Sequence, residues 1–411
     1  MSKGVLSDIK VLDLTRVLAG PWCTQILADL GADVVKVERP GEGDDTRQWG
    51  PPFLKDDFGV DTDQASYFES CNRNKRSLAV DISQDAGQKL LRQMALQSDV
   101  FVENFKVGGL KKYGLDYESL SALNPRLVYC SITGFGQSGP YAERAGYDLL
   151  IQASSGMMSI TGRADGEPGG GGVRVGIALT DVFTGVYSAT AILAALRARD
   201  TSGQGQHIDM ALLDVGMAIL ANQASGYLNT GIVPTRQGNS HPSLAPYQDF
   251  PTADGAMLLA IGNDGQFARF CEAVGRPEWA KDERFIRNSN RVKYRSILIP
   301  AMEEITRIYT TAKWVELLEE RAVPCGPIND MRQAFEDPQV RARGLRVAQS
   351  RSGDDGITEM YGVASPIRLS ANPPVLRNAP PTLGQHTVEV LQELGLEDSH
   401  IHQLMESRVV A

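Results

Sequence analysis

One aspartate and three groups of cations are the residues in this chain whose types and spacing suit group transfer. Asp181 lies in Thr180-Asp181-Val182-Phe183-Thr184-Gly185, where a long helix is predicted to start and to continue to about Arg199. Asp is a preferred N-cap, because its carboxylate accepts from the free N–H groups of the first turn, and that alone accounts for the residue. The same place has a chemical reading. A helix N-terminus favours a carboxylate in its charged form, and an ionised carboxylate can attack an acyl carbon. Spacing leaves both readings open.

The cations fall near predicted strand ends. Arg39 follows the strand Val34–Val37, and Lys106, Lys111 and Lys112 follow Asn104-Phe105 at the end of Asp99–Glu103. Asn72-Arg73-Asn74-Lys75-Arg76 is the third group. Ligands of open α/β sheets bind beyond the carboxyl ends of the strands, and Arg clamps phosphate oxygens in pairs. A nucleotide needs such cations and an apolar platform for its base. A solvated basic face would look the same for any one group.

Other candidates have plainer explanations beside the chemical ones. Gly262-Asn263-Asp264-Gly265 reads as a strand-to-helix turn, and its N–H groups could also face an oxyanion. Asn239-Ser240-His241-Pro242 reads as a turn in which His241 is structural or a substrate contact. Cys325 lies between two prolines with no base near it in sequence, as a packed thiol would. No dinucleotide fingerprint follows the first strand, and there is no GxxxxGK[ST], HExxH or GxSxG. The histidines, five in all, show no metal-ligand spacing, so no metal is expected.

Composition narrows the class. The 411 residues suffice for two or three domains, and 42% hydrophobic with 22% charged residues is ordinary for a soluble protein. The net charge of -9 without a basic run argues against nucleic acid as a partner. No run of 18 apolar residues suggests a membrane span, and the opening MSKGVLSDIK lacks the pattern of a secretory leader. The five cysteines are widely spaced and odd in number, which suits reduced thiols. A cytoplasmic location is the expectation.

The elements that must position these residues alternate in type. Strands are predicted at Ile9–Leu14, Val34–Val37, Asp99–Glu103, Leu127–Ile132 and His207–Ala211, with helices between them. That alternation predicts a parallel sheet. The glycine-rich stretch Gly162–Gly176 reads as an exposed, mobile loop. Near residue 230 the pattern changes to turn formers, then a strand at Met257–Ile261 and several helices. The expected organisation is a large domain over 1–229, a small α+β domain over 230–330, and a C-terminal segment, 331–411, returning to the large domain.

Taken together, several segments resemble the class III CoA-transferases, the family of formyl-CoA transferase. They are Leu14–Pro21, Leu30–Glu38, Asn74–Ser77, Val102–Phe105, Gly134–Gly136, Gly146–Asp148 and the Asp181 helix, then Pro246–Phe250, Val323–Pro327, Asp337–Val340 and Leu383–His386. The resemblance covers essentially the whole chain. It implies an α/β fold with a Rossmann-like large domain, a smaller α+β domain and a homodimer of interlocked rings. It implies that Asp181 is the nucleophile, forming first a mixed anhydride with the acyl group and then an aspartyl-CoA thioester. It implies CoA contacts at Val17, Arg39, Asn104, Phe105 and Lys112, with Arg76 beside them, and a glycine loop at Gly262 to Gly265. Coenzyme A enters as a substrate, and no cofactor is held permanently.

Two departures from formyl-CoA transferase, Leu18 and the sparser glycines of Gly262–Gly265, count against formate and oxalate. Racemases of the family place His where this chain has Tyr147, and a racemase needs two acid/base groups. Tyr147 therefore favours transfer over the alternative, acyl-CoA racemisation. Gly43–Phe53 and Pro246–Gln248 resemble the succinate–hydroxymethylglutarate branch, which implies succinyl-CoA as donor and a glutarate-like dicarboxylic acid as acceptor. For the distal carboxylate of such an acid, Arg16, Arg47 and Arg73 are the candidates, because carboxylates prefer the Arg fork.

Overall fold

The structure is a computed structural model and describes residues 4–351 and 356–411. The chain divides into two compact units. The first comprises the chain up to Met157, Val175–Leu228 and Arg341–Ala411; the second comprises Met158–Arg174 and Asn229–Val340. The glycine-rich stretch thus groups with the second unit, although in sequence it interrupts the first. A single local composition cannot show that, because the grouping rests on contacts with residues beyond 229.

The first unit is built on six parallel strands. In chain order its elements are β1 (Lys10–Asp13), α1 (Ala19–Asp29), β2 (Asp33–Glu38), β3 (Lys75–Ala79), α2 (Asp85–Leu96), β4 (Val100–Glu103), α3 (Tyr117–Leu123), β5 (Val128–Thr133), α4 (Asp148–Ser154), α5 (Leu179–Ser202) and β6 (His207–Ala211). The strand order is β3-β2-β1-β4-β5-β6. Val11 pairs with Val34 on one side and with Val100 on the other. The order reverses between β1 and β4, and the crevice beyond the carboxyl ends of those two strands is where open α/β sheets bind ligands.

Alternation along the strands explains the two buried faces. Leu12, Val35, Val37, Phe101 and Tyr129 point to the side covered by α2 and α3. Val11, Val34, Val100, Val102 and Val128 point to the side covered by α1 and α5. α1 and α5 approach closely because Gly185 has no side chain: a Cβ there would lie 2.7 Å from the Ala19 carbonyl oxygen. α5 is long and apolar enough to cross a membrane by length and composition alone. Its buried Thr180, Thr184 and Ser188 and its seat against α1 are those of a core helix.

The second unit has a three-stranded antiparallel sheet. Tyr247–Pro251 (β7) and Ala256–Ala260 (β8) pair directly, and Cys325–Pro327 (β9) flanks β8. Phe250, Met257, Leu259, Phe267, Phe270 and Trp314 fill its core. The Trp314 indole N–H donates to the Thr306 carbonyl at 2.6 Å, so the largest side chain there buries no unmet donor.

The C-terminal residues complete the first unit. Val80 bridges to Val410, and Arg76 on β3 pairs with Glu389 and Glu393 of the helix Thr387–Glu393.

Candidate active site

Asp181 is the third residue of α5, not its cap. Ala178 occupies the N-cap position and supplies no side-chain bond. The capping carboxylate comes from another helix. Asp148, the first residue of α4, accepts from the Thr180 N–H at 2.8 Å and from the Thr180 hydroxyl at 2.6 Å. Gln152 donates to the other Asp148 oxygen at 2.7 Å and fixes it. The local sequence around 180 reads as a cap because an aspartate sits there. The cap is in fact delivered across space, which frees Asp181.

That freedom is what gives Asp181 its chemistry. It is half-buried and has no hydrogen-bond or ion-pair partner among the described residues. Burial, and next the charge of Asp148, push its carboxyl up to about 7. The expectation that the helix keeps it firmly ionised is thus corrected. Desolvation and a like charge outweigh the helix dipole here. A carboxylate poorly solvated and poorly partnered gains from any reaction that neutralises it. Attack on an acyl carbon does so, because the charge leaves on the displaced group.

Asp181 lines a cleft of about 700 Å³ together with Arg16, Val17, Asn104, Phe105 and Lys112. Five residues expected from sequence thus meet at one cavity with Asp181, at the crevice beyond β1 and β4. Tyr147 lines the same cleft and is well exposed. A second cleft of about 400 Å³ carries Arg39 at the ends of β2 and β3 and shares Arg16, Phe105 and Tyr113 with the first. The Arg16 guanidinium lies 5.8 Å from the centre of the Phe105 ring, at the seam between the two. Among the described residues Arg39 pairs only with Glu42, at 2.9 Å and well exposed, so a ligand phosphate can displace that partner.

Three cations expected at the site have other partners. Arg47 forms a two-pronged pair with Glu38, at 2.8 and 2.7 Å. Arg73 does the same with Asp29, at 2.9 and 2.6 Å, and donates to the Val363 carbonyl. Arg76 holds Asp33, Glu389 and Glu393. None of the three lines either cleft. The basic cluster at 72–76 leads into β3, an edge strand of the sheet, and its charges are neutralised inside the fold: Lys75 is fully buried between Asp13 and Asn72.

His241, Gly262 and Gly265 belong to the second unit. There the His241 ring packs edge-on against Tyr247 and its Nδ1 accepts from the Ser243 N–H at 3.0 Å. The Gly262 N–H donates to the Gln266 side chain at 2.8 Å.

A set of buried charges was not singled out from sequence. Lys36 pairs with Asp44 at 2.8 Å, and Asp44 accepts from the Val17 N–H at 3.2 Å. Burial alone would lower the Lys36 ammonium, but Asp44, Asp13 and Glu38 together hold it above its ordinary value. Val17 has φ 71°, a left-handed conformation that costs a non-glycine residue about 1–3 kcal/mol. The signal was present: a lysine inside the run Val34-Val35-Lys36-Val37 must be paired if the strand is central.

A profile of CoA-transferase family III matches residues 6–387. The chain belongs to that family. It is therefore a CoA-transferase, as the segments across its length indicate. It is 50% identical to a succinate–glutarate CoA-transferase of Agrobacterium fabrum over 392 residues, covering 95% of this chain and 96% of that one. It is 43% identical to the succinyl-CoA:glutarate CoA-transferase of Homo sapiens, covering 98% of this chain and 90% of that one. Among solved structures, a CAIB/BAIF family protein from Brucella suis matches with a TM-score of 0.84 and 47% identity, covering 96% of this chain and all of that one. This family III chain thus shares the mixed α/β fold of those proteins.

Proposed function

We propose that this CoA-transferase moves CoA from succinyl-CoA to a glutarate-like dicarboxylic acid, with Asp181 as the carrier. The observation that carries the reading is a half-buried Asp181, without a partner among the described residues, in a cleft walled by Arg16, Asn104, Phe105 and Lys112. Relatives named for succinyl-CoA and glutarate, at 43–50% identity, support the choice of acids.

The steps balance without ATP. An Asp181 oxygen attacks the thioester carbonyl, and CoA leaves as the thiolate. The thiolate attacks the Asp181 carbonyl of the mixed anhydride, releasing succinate and leaving an aspartyl-CoA thioester. The acceptor carboxylate displaces the thiolate to give a second anhydride. The thiolate attacks the acceptor's acyl carbon, giving the new thioester and free Asp181. In this reading the second cleft, with Arg39, takes the nucleotide end of CoA, and the larger cleft takes the acyl end. CoA is a substrate, and nothing in the scheme needs a resident cofactor.

The reading includes a homodimer. α5 exposes Phe183, Val186 and Tyr187, and nearby Tyr147, Leu149, Leu150 and Ile177 are exposed as well. A second copy covering that face would remove it from water. Free cysteines throughout the described residues suit the cytoplasm.

The test is chemical trapping. Incubation with succinyl-CoA followed by hydroxylamine is expected to label Asp181, seen by peptide mass spectrometry. Full transfer activity in D181A would overturn the reading. Exchange of the donor's α-proton with solvent, without CoA appearing on a second acid, would point to an isomerase instead.

A further inference from the structure

Side chains from three separate segments converge on the backbone of Thr15 to Val17, the turn between β1 and α1. Lys36 donates to the Thr15 carbonyl at 2.8 Å. Asp44 accepts from the Val17 N–H with both oxygens, each at 3.2 Å. On the outer side, Asn104 accepts from the Arg16 N–H at 3.0 Å and donates to the Arg16 carbonyl at 2.7 Å. The Lys36 and Asp44 side chains are 0% exposed and pair at 2.8 Å. Asp44 is itself fixed, since it accepts from the Thr46 N–H and hydroxyl while its own N–H donates to Glu38. Between these holds Val17 sits at φ 71°, where a β-branched residue is rarely found.

Stability is a poor reason for such a pair. Two apolar side chains of similar volume serve a buried site as well as an ion pair does. What apolar side chains cannot do is bond to the Thr15 carbonyl and the Val17 N–H. The turn they grip leads straight into the cleft that Asp181 lines, and Arg16, Val17 and Leu18 form part of that cleft's wall. Asn104 ties the turn to the loop carrying Phe105, so both sides of the β1/β4 crevice are set by one connected group.

We propose that Lys36 and Asp44 are positioning residues: they lock Val17 in its left-handed turn and thereby fix the wall of the acyl cleft that faces substrate. The proposal rests on Asp181 being the acyl carrier. Serial exchange through anhydrides needs each acyl carbon placed for attack, and a displacement of about 1 Å can cost about 100-fold in rate.

The test replaces the pair by K36M/D44L, which leaves no unpaired buried charge. The expected result is a kcat for succinyl-CoA with glutarate about 100-fold lower, with KM for both within about threefold. Adding V17G is expected to recover about tenfold, because glycine takes φ near 70° without being held. Amide hydrogen exchange gives a readout independent of substrate: peptides covering 14–18 should exchange at least tenfold faster in K36M/D44L, with β8 unchanged. Should the double variant not fold, D44N carries the same test, with about a tenfold loss that V17G recovers. A kcat within twofold of the parent, or no recovery with V17G, overturns the proposal. If the parent protein transfers CoA to no dicarboxylic acid, the functional reading fails, and the exchange of 14–18 still decides the positioning claim.

Discussion

Asp148 caps the helix that carries Asp181, and the same carboxylate opposes the charge of Asp181. The bond to the Thr180 N–H, at 2.8 Å, spends one Asp148 oxygen on the helix terminus. Its negative charge stays, and after burial it is the cause that keeps the Asp181 carboxyl at about 7. One side chain therefore both builds the helix start and holds the nucleophile high enough in basicity to react well.

A pH profile follows from this. Only ionised Asp181 attacks, so kcat should rise as pH increases through about 7 and then level off. Asn in place of Asp148 keeps an acceptor for Thr180 and removes the opposing charge. D148N should therefore move the rising limb to lower pH. Glu103 also lies near 7, raised by burial. A limb that stays put in D148N and moves in E103Q would assign the titration to Glu103 and count against the argument.

Stability should move opposite to activity at Asp181. Its folded carboxyl is raised, so the folded state binds the proton more tightly than the unfolded chain does. That contribution is complete below the unfolded carboxylate range and is lost as pH rises through about 7. At pH 8 the unpartnered charge costs on the order of 2 kcal/mol, allowing for solvent that reaches a half-buried group. D181N should then unfold at higher urea than the parent at pH 8, with a smaller gain at pH 5 and little or none at pH 3. Equal midpoints at pH 8 would mean the charge is well solvated.

Arg76 offers a sharp separation of structure from binding. Its guanidinium links β3 to the helix Thr387–Glu393 through Glu389 and Glu393 and to β2 through Asp33. R76M should lower stability by about 1–3 kcal/mol in urea titration. KM for succinyl-CoA should change by less than twofold, because Arg76 lines neither cleft. A tenfold rise in that KM with unaltered stability would restore it to the CoA site.

The contrast between Arg76 and Asp181 shows what was legible in sequence. The strands β1, β2, β4 and β5 stand out because they carry apolar runs, and a parallel central strand is buried on both faces; β6, at the sheet edge, shows instead in the alternation of His207-Ile208-Asp209-Met210. β3 did not, because Lys75 and Arg76 open it, and charge in a strand is unreadable until its partners are known. Those partners, Asp13, Asp33, Glu389 and Glu393, lie far away in sequence. Asp181 was found for its residue type and its place in a run of family-like segments. Its high basicity was not, since it depends on burial in the fold and next on the charge of Asp148, 33 residues earlier in the chain. Lys36 and Asp44 were legible only as an oddity, a lysine among valines.

Arg16 carries the last prediction, on acid selectivity. Of the arginines considered for a distal carboxylate, Arg47 and Arg73 are held in two-pronged pairs inside the fold, whereas Arg16 reaches Asp45 through one nitrogen at 3.2 Å with both side chains about half exposed. Exchanging such a solvated partner costs little, so an incoming carboxylate can take the fork. Arg16 also lines the cleft that holds Asp181, where the second carboxylate of a short dicarboxylic acid would lie. R16M should raise KM for glutarate about tenfold or more, a loss of one charge-assisted contact, while KM for a monocarboxylate of similar length changes less than threefold. D45N, which frees Arg16, should lower the glutarate KM. Parallel changes for both acids in R16M would assign Arg16 to CoA or to the cleft wall, and would leave the distal carboxylate to another cation of the same cleft, Lys106 or Arg144.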